Sequence, residues 1–295
     1  MMRVIMVHFI VILVYFIGLV SPRKYGALAF VLGASRRGVL SKFMDSHVFA
    51  PSEEFAPSSA SSLLTRPILE LITPDGCASS QSTADTIIAN VEEAIRGGVS
   101  LVQLRDYDST SAAKISFAHR LRKVTLGLAY LVVNGDPDMA RICGADGVHL
   151  PERMMGSIAD LRCSSWPHLV GCSVHSIDAA VEAARQGAHY IQVGTMFATQ
   201  CHPGKIPEGV SLVRDIRRQL NLEGLSGVSI IGVGGINGGN CEAVLSAGAD
   251  GVAVIRSLCN SNNPEANARA LIDVMSLSGG TRKQGKGTEK NGGCR

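Results

Sequence analysis

The feature that most limits what this chain can fold into is an alternation. Between residues 66 and 277, short apolar runs, often β-branched and bounded by Gly, Asp or Pro, alternate with amphipathic helical patterns. The strand-like runs are Ile68–Thr73, Ser100–Arg105, Ala129–Asn134, Gly147–Leu150, Leu169–Ser173, Tyr190–Gly194, Ser229–Val233 and Gly251–Ile255. They are apolar nearly end to end, which marks strands covered on both faces, as in a parallel sheet flanked by helices. Over Thr83–Arg96, Ile87, Ile88, Val91 and Ile95 fall on one helical stripe. Further helices are predicted over Ala112–Val124, Ile177–Gln186, Val210–Leu220, Gly239–Ala247 and Pro264–Met275, with short ones near Asp138–Ile142 and Gly156–Leu161. Eight βα units in about 210 residues predict an α/β fold, a single-domain (β/α)8 TIM barrel. A doubly wound open sheet would use fewer strands.

The flanks have a different character. Val4 to Val20 is an almost unbroken apolar run of about 17 residues behind Arg3, short for a spanning helix and of signal-peptide length. From Arg23 to Met44 there are five Lys/Arg and no acid, with Ser and Ala interleaved, the composition of a transit peptide. The two in series predict bipartite delivery to a plastid bounded by extra membranes, and the Ala29-Phe30 step resembles the cleavage site used there. A plain secretory signal or a single membrane anchor is the competing reading. Residues 51–65, rich in Ser, Ala and Pro, read as a linker. The expected organisation is a targeting segment and linker over 1–65, a barrel over 66–277 and a disordered tail over 278–295.

Charge and cysteine usage narrow the partners. The net charge is +3, but residues 1–65 carry +3 and residues 279–295 carry +4, which leaves the body at −4. A mildly acidic body without a basic stripe argues against nucleic acid. No stable membrane association is expected once the targeting segment is removed, and a homo-oligomer is compatible with the pattern. The eight cysteines form no CxxC pair and no zinc spacing, and several sit inside apolar runs, as reduced buried thiols do.

Two segments carry candidate chemistry. Gly171-Cys-Ser-Val-His-Ser176 reads as a buried strand that ends by presenting His175, with a helix starting near Ile177. The carboxyl ends of barrel strands are where such folds keep their chemistry, and an imidazole there can take and give protons. Ser176 is the expected helix N-cap, and Ser173 is placed to orient the ring. The second segment, Ile230-Ile-Gly-Val-Gly-Gly-Ile236, runs from strand seven into a glycine turn before a helix. Gly234 and Gly235 let backbone N–H groups approach an anion, and the helix N-terminus adds a favourable dipole. Strand eight ends beside it at Ile255 and Arg256, so these four residues form the candidate phosphate site. A tight βα turn with no ligand is the plainer reading of the glycines.

Seven motifs in order resemble one family. Val102-Gln-Leu-Arg-Asp106, Val132-Val-Asn134, Ala145-Asp-Gly-Val-His-Leu150, Gly171–Ser176, Gly194-Thr-Met-Phe-Ala-Thr199, Gly232-Val-Gly-Gly-Ile236 and Ala247-Gly-Ala-Asp-Gly-Val-Ala-Val254 are similar to the thiamine phosphate synthase/thiazole tautomerase (TenI-type) superfamily, from residue 66 to about 275. The resemblance implies a (β/α)8 barrel. It also implies one of two activities. The synthase joins a pyrimidine pyrophosphate to a thiazole phosphate and uses Mg²⁺ to neutralise the leaving group. Its pattern has an Asp where this chain has Gly135, a second Asp where it has Met154, and lysines where it has Tyr107 and His202. Asp136 and Glu152 are the nearest carboxylates for a shifted metal site.

The tautomerase branch lacks those groups. Its pattern has Asn-Gly after strand three, Leu-Pro after strand four and Ser-Val-His-Ser after strand five, as here. The resemblance then implies that His175 aromatises a carboxythiazole phosphate by moving protons, without a metal or redox cofactor. Gln103 and Arg105 alternate on strand two and are expected to face the barrel interior, where Arg105 would fork onto a substrate carboxylate or form a structural ion pair. Asn134, Ser173, Thr199 and His202 complete the expected substrate contacts, with bracing of a neighbouring loop the alternative for Asn134 and plain exposure that for His202; His149 is expected to be structural, and nothing in sequence marks Cys201 as activated. The expected function is thiazole tautomerase, with Mg²⁺-dependent thiamine phosphate synthase and a non-catalytic phosphate-binding regulator as alternatives.

Overall fold

Eight strands pair in chain order, all parallel, and the first pairs with the last to close a barrel. The computed structural model describes residues 63–281 apart from 167 and 201–203. The strands are β1 Ile68–Ile72, β2 Leu101–Leu104, β3 Tyr130–Asn134, β4 Gly147–Leu150, β5 Leu169–Val174, β6 Tyr190–Val193, β7 Ser229–Val233 and β8 Gly251–Val254. The helices are α1 Gln81–Arg96, α2 Ser111–Thr125, α3 Pro137–Ile142, α4 Ile158–Arg162, α5 Ile177–Arg185, α6 Gly209–Leu222, α7 Cys241–Ser246, α8 Arg256–Cys259 and α9 Pro264–Thr281. A 3-10 turn over Glu152–Ser157 precedes α4. The expected (β/α)8 barrel is therefore the observed fold.

Strand periodicity sorts the side chains into two cores. On β1, Leu69 and Leu71 face the helices, while Ile68, Glu70 and Ile72 belong to the interior. The floor of the interior is apolar, built from Ile68, Leu101, Val132, Leu169, Tyr190 and Ile231. Above it lie buried polar side chains, Glu70, Gln103, His149 and Gln192. Polar groups toward the carboxyl ends of the strands, over an apolar floor, place the chemistry at one end of the ring.

Local capping explains where the helices start. Ser80 accepts from Thr83 N at 3.1 Å, Thr110 from Ala113 N at 3.3 Å, and Asp136 from Met139 N at 2.8 Å. Ser176 caps α5 by accepting from Ala179 N at 3.1 Å, as expected. On α1, Ile87 and Val91 are buried and Ile88 and Ile95 half-buried, so the stripe read from sequence is the packed face.

Several boundaries differ. β1 and β2 each end one residue early, because Thr73 takes over the pairing with its side chain: Thr73 Oγ1 donates to Arg105 O at 2.8 Å and accepts from Arg105 N at 2.9 Å. The helix expected from Gly239 starts at Cys241, after a loop that Asn237 and Asn240 hold with their own side chains. A one-turn helix, α8, follows strand eight where none was read. α9 runs to Thr281, beyond residue 278 where the tail was expected, and residues 282–295 lie outside the described residues, as do 1–62, on which the expected targeting segment falls. Cys77, Cys143, Cys172, Cys241 and Cys259 are buried free thiols, but Cys163, at the end of a short helix, is exposed. Among the described residues no helix is long and apolar enough to cross a membrane.

Candidate active site

The carboxyl ends of the strands surround a cavity of about 770 Å³. Gln103, Arg105, Asn134, Ser173, His175, Thr199, Gly234, Gly235, Ile255 and Arg256 all line it. Of the residues predicted from sequence, His202 and its neighbour Cys201 lie outside the described residues.

His175 stands at the rim. Its Nδ1 is 2.6 Å from Glu152 Oε2, and the two side chains are 47% and 38% exposed. Glu152 comes from the loop after β4, next to β5 in the ring, and it was not read from sequence as the partner of His175. A carboxylate on one ring nitrogen fixes the tautomer and leaves the other nitrogen to work. The expectation that Ser173 orients His175 fails. Ser173 Oγ is instead 2.8 Å from Nε2 of His149, whose Nδ1 is 3.1 Å from the Tyr190 hydroxyl. His149 is fully buried, and desolvation pushes it down to about 3, so it is a neutral imidazole beneath the cavity.

Arg105 does not point into the barrel core as alternation on a longer strand predicts. It lies just past the end of β2, with Nη1 2.9 Å from Asp75 Oδ2 and its guanidinium 4.7 Å above the Tyr107 ring. Asp75 also accepts from Tyr107 N at 3.1 Å, so a carboxylate from the loop after β1 holds this arginine at the mouth. Gln103 does face inward, and its Nε2 donates to Asn134 Oδ1 at 3.0 Å.

The glycine cradle has the geometry that requires glycine. Gly234 and Gly235 have φ of 102° and 66°. A Cβ on Gly234 would stand 2.6 Å from Thr195 Cγ2, and one on Gly235 2.6 Å from Ala198 O. Asn240 Nδ2 donates to Gly235 O at 3.0 Å and braces the turn. Arg256 opens α8 beside it and donates from Nη1 to Gln200 Oε1. Since α7 starts only at Cys241, the helix dipole expected directly behind the glycines is absent there; backbone N–H groups and Arg256 are what this end of the cavity offers an anion.

The positions where the synthase pattern carries metal carboxylates do meet. A Cβ on Gly135 would lie 3.7 Å from Pro151 Cδ and 4.0 Å from Met154 Sδ. The donor set is thus a glycine, a proline ring and a thioether, which does not fit Mg²⁺, a hard cation that takes oxygen ligands. The nearby carboxylates are engaged otherwise, Asp136 as the cap of α3 and Glu152 on His175.

Comparisons with known proteins identify the family. The sequence profile of one family, described as thiamine monophosphate synthase, matches residues 71–258. The chain is 35% identical to the thiamine-phosphate synthase of Roseiflexus castenholzii, over 71% of this chain and 88% of that protein. It is 38% identical to the protein of the same name from Gloeobacter violaceus, over 60% of this chain and 51% of that one, so it spans about half of that relative's length. Among solved structures it is similar to thiamine phosphate pyrophosphorylase from Pyrococcus furiosus, with a TM-score of 0.59 and 25% identity, over 72% of this chain and 96% of that one.

Proposed function

This chain belongs to the thiamine monophosphate synthase family, and from that premise we propose that it is an enzyme of thiamine biosynthesis that moves protons on a thiazole phosphate, a thiazole tautomerase of the TenI type. The observation that carries this reading is the His175–Glu152 pair, at 2.6 Å on the rim of a cavity that the glycine cradle also lines. The phosphate is anchored by the N–H groups of the Gly234-Gly235 turn, with Ile255 and Arg256 beside it. Glu152 accepts from Nδ1–H of His175, which leaves Nε2 as the base. Nε2 takes the proton from the ring carbon that bears the carboxylate, the electron pair moves into the ring, and the proton is returned to the exocyclic vinyl carbon. One proton leaves and one is delivered, so no redox partner is needed. Glu152 stabilises the imidazolium between the two transfers.

A second reading is favoured by the relatives. Those compared are named thiamine-phosphate synthases, which supports the joining of a pyrimidine pyrophosphate to a thiazole phosphate more directly than it supports tautomerisation. What supports the first reading is the loss of oxygen donors at Gly135 and Met154. Two assays on one preparation separate them. Aromatisation of the carboxythiazole phosphate, followed by ultraviolet absorbance, is expected to be fast in the wild type and slowed by about 10²–10⁴-fold in His175→Ala. Thiamine phosphate formation that depends on Mg²⁺ overturns the proposal. An unchanged rate in His175→Ala does so as well.

A further inference from the structure

Glu70 is the group that the proton-transfer reading leaves unused. It stands on β1 inside the barrel with no exposure, in a strand that is otherwise Ile and Leu. Its Oε1 accepts from Gln192 Nε2 at 2.7 Å, and its Oε2 has no partner among the described residues. From this carboxyl a single line of amides runs out to the mouth. Gln192 Nε2 also donates to Gln103 Oε1 at 2.5 Å. Gln103 Nε2 donates to Asn134 Oδ1 at 3.0 Å, and Asn134 Nδ2 donates to the Tyr107 hydroxyl at 2.9 Å. Gln192, Gln103, Asn134 and Tyr107 line the cavity, while Glu70 lies beneath it.

The direction of this line has a chemical consequence. Each carboxamide has one acceptor oxygen and two N–H donors. Run from an acceptor at the closed end, every amide donates back or outward in a fixed sense, and Tyr107 receives the last bond as an acceptor. Its own proton is then left over. Run in reverse, the Tyr107 proton would be consumed on Asn134. Tyr107 is 57% exposed and has the Arg105 guanidinium 4.7 Å from its ring centroid, so the spare O–H and a cation stand together. This pair sits at the β2–β3 side of the mouth, across an eight-strand ring from the glycine cradle after β7.

We propose that Glu70 fixes the direction of the amide line and thereby keeps the Tyr107 hydroxyl as a donor, so that Tyr107 with Arg105 recognises a second anionic group of the ligand, its ring carboxylate. Glu70 is a positioning residue and Tyr107 a specificity-determining one. Burial pushes Glu70 up to about 8, and the oxygen it turns to Gln192, Oε1, is the acceptor from which the line starts. The identity of the second anion rests on the tautomerase reading; the link between Glu70 and Tyr107 does not.

The test is a double-mutant cycle read by calorimetry on the full chain, with two probes: the carboxythiazole phosphate and the same thiazole phosphate without its carboxylate. Tyr107→Phe keeps the ring and removes only the hydroxyl. It is expected to weaken the carboxylated probe by about 10-fold or more, and the other by less than about twofold. Glu70→Met is expected to give the same pattern, Glu70→Gln, with its acceptor oxygen, to restore binding to within about threefold, and the double variant to lose no more than either single one. Additive losses, or equal losses for both probes, overturn the proposal. Tyr107→Phe alone decides the specificity claim should Glu70→Met fail to fold: undiminished discrimination overturns it. The ligand-free protein gives a separate readout. The side-chain amide resonances of Gln103 and Asn134 are expected to move in Glu70→Gln and Glu70→Met, and unmoved resonances overturn the directional link even where neither thiazole binds.

Discussion

At the scale of single residues, the site is a set of polar groups whose protonation is decided by burial. His149 is kept neutral under the cavity and Glu70 is kept protonated, both by desolvation. Glu70 makes this measurable. In the unfolded chain it ionises at the ordinary value of 4.5, and in the barrel at about 8. The stability it contributes is therefore fully present below 4.5 and is lost as the pH rises toward 8, where the folded protein must hold a proton that the unfolded chain has released. Glu70→Gln removes that dependence. Its unfolding free energy in urea titrations is expected to gain on the wild type between pH 5 and 8, by on the order of 2–4 kcal/mol at the upper end. Parallel free energies across the range would contradict the assignment. None of this was visible in sequence, where Glu70 is one acid inside an apolar run and the run was correctly read as a strand.

At the scale of elements, the loops after β1 and β2 are joined by Asp106. Its carboxylate accepts from the backbone N–H groups of Gly76 at 2.9 Å, Ala78 at 3.1 Å, Asp108 at 3.0 Å and Ser109 at 3.1 Å, and the residue is only 6% exposed. Burial would raise it, but these bonds win and hold it well below the usual carboxylate range. The clasp also fixes the loop that carries Asp75, and through it Arg105. Asp106→Ala is expected to lower stability by about 2–4 kcal/mol and to raise KM more than it lowers kcat; a thermal melt and a kinetic comparison check both. Strands were legible because each is short, apolar and buried on both faces. The helix after β7 begins two residues later than its pattern predicts because asparagine side chains, not a periodic pattern, decide its start. α8 was missed because a four-residue helix has no period to read. The His175–Glu152 contact was hidden for another reason: it joins loops 23 residues apart that meet only when β4 and β5 are neighbours in the ring.

At the scale of the whole molecule, the resemblance of ordered motifs carried the family and the fold, and the departures within those motifs are what the proposed tautomerase reading rests on. Residues 1–65 raise a different question, that of destination. Fused to a fluorescent reporter, they are expected to bring it to a plastid, and a reporter retained in the secretory pathway would overturn the bipartite reading. The closed ring bears on that journey. Ile68 and Leu69 on β1 register with Gly251 and Val252 on β8, so the first strand has its second neighbour only when the last has arrived. A chain threaded through a narrow channel with its amino end leading cannot seal the barrel while any part of it up to Val254 is still on the far side. On the proposed plastid route it would cross as an unlocked string, and the lock would shut only once β8 had passed.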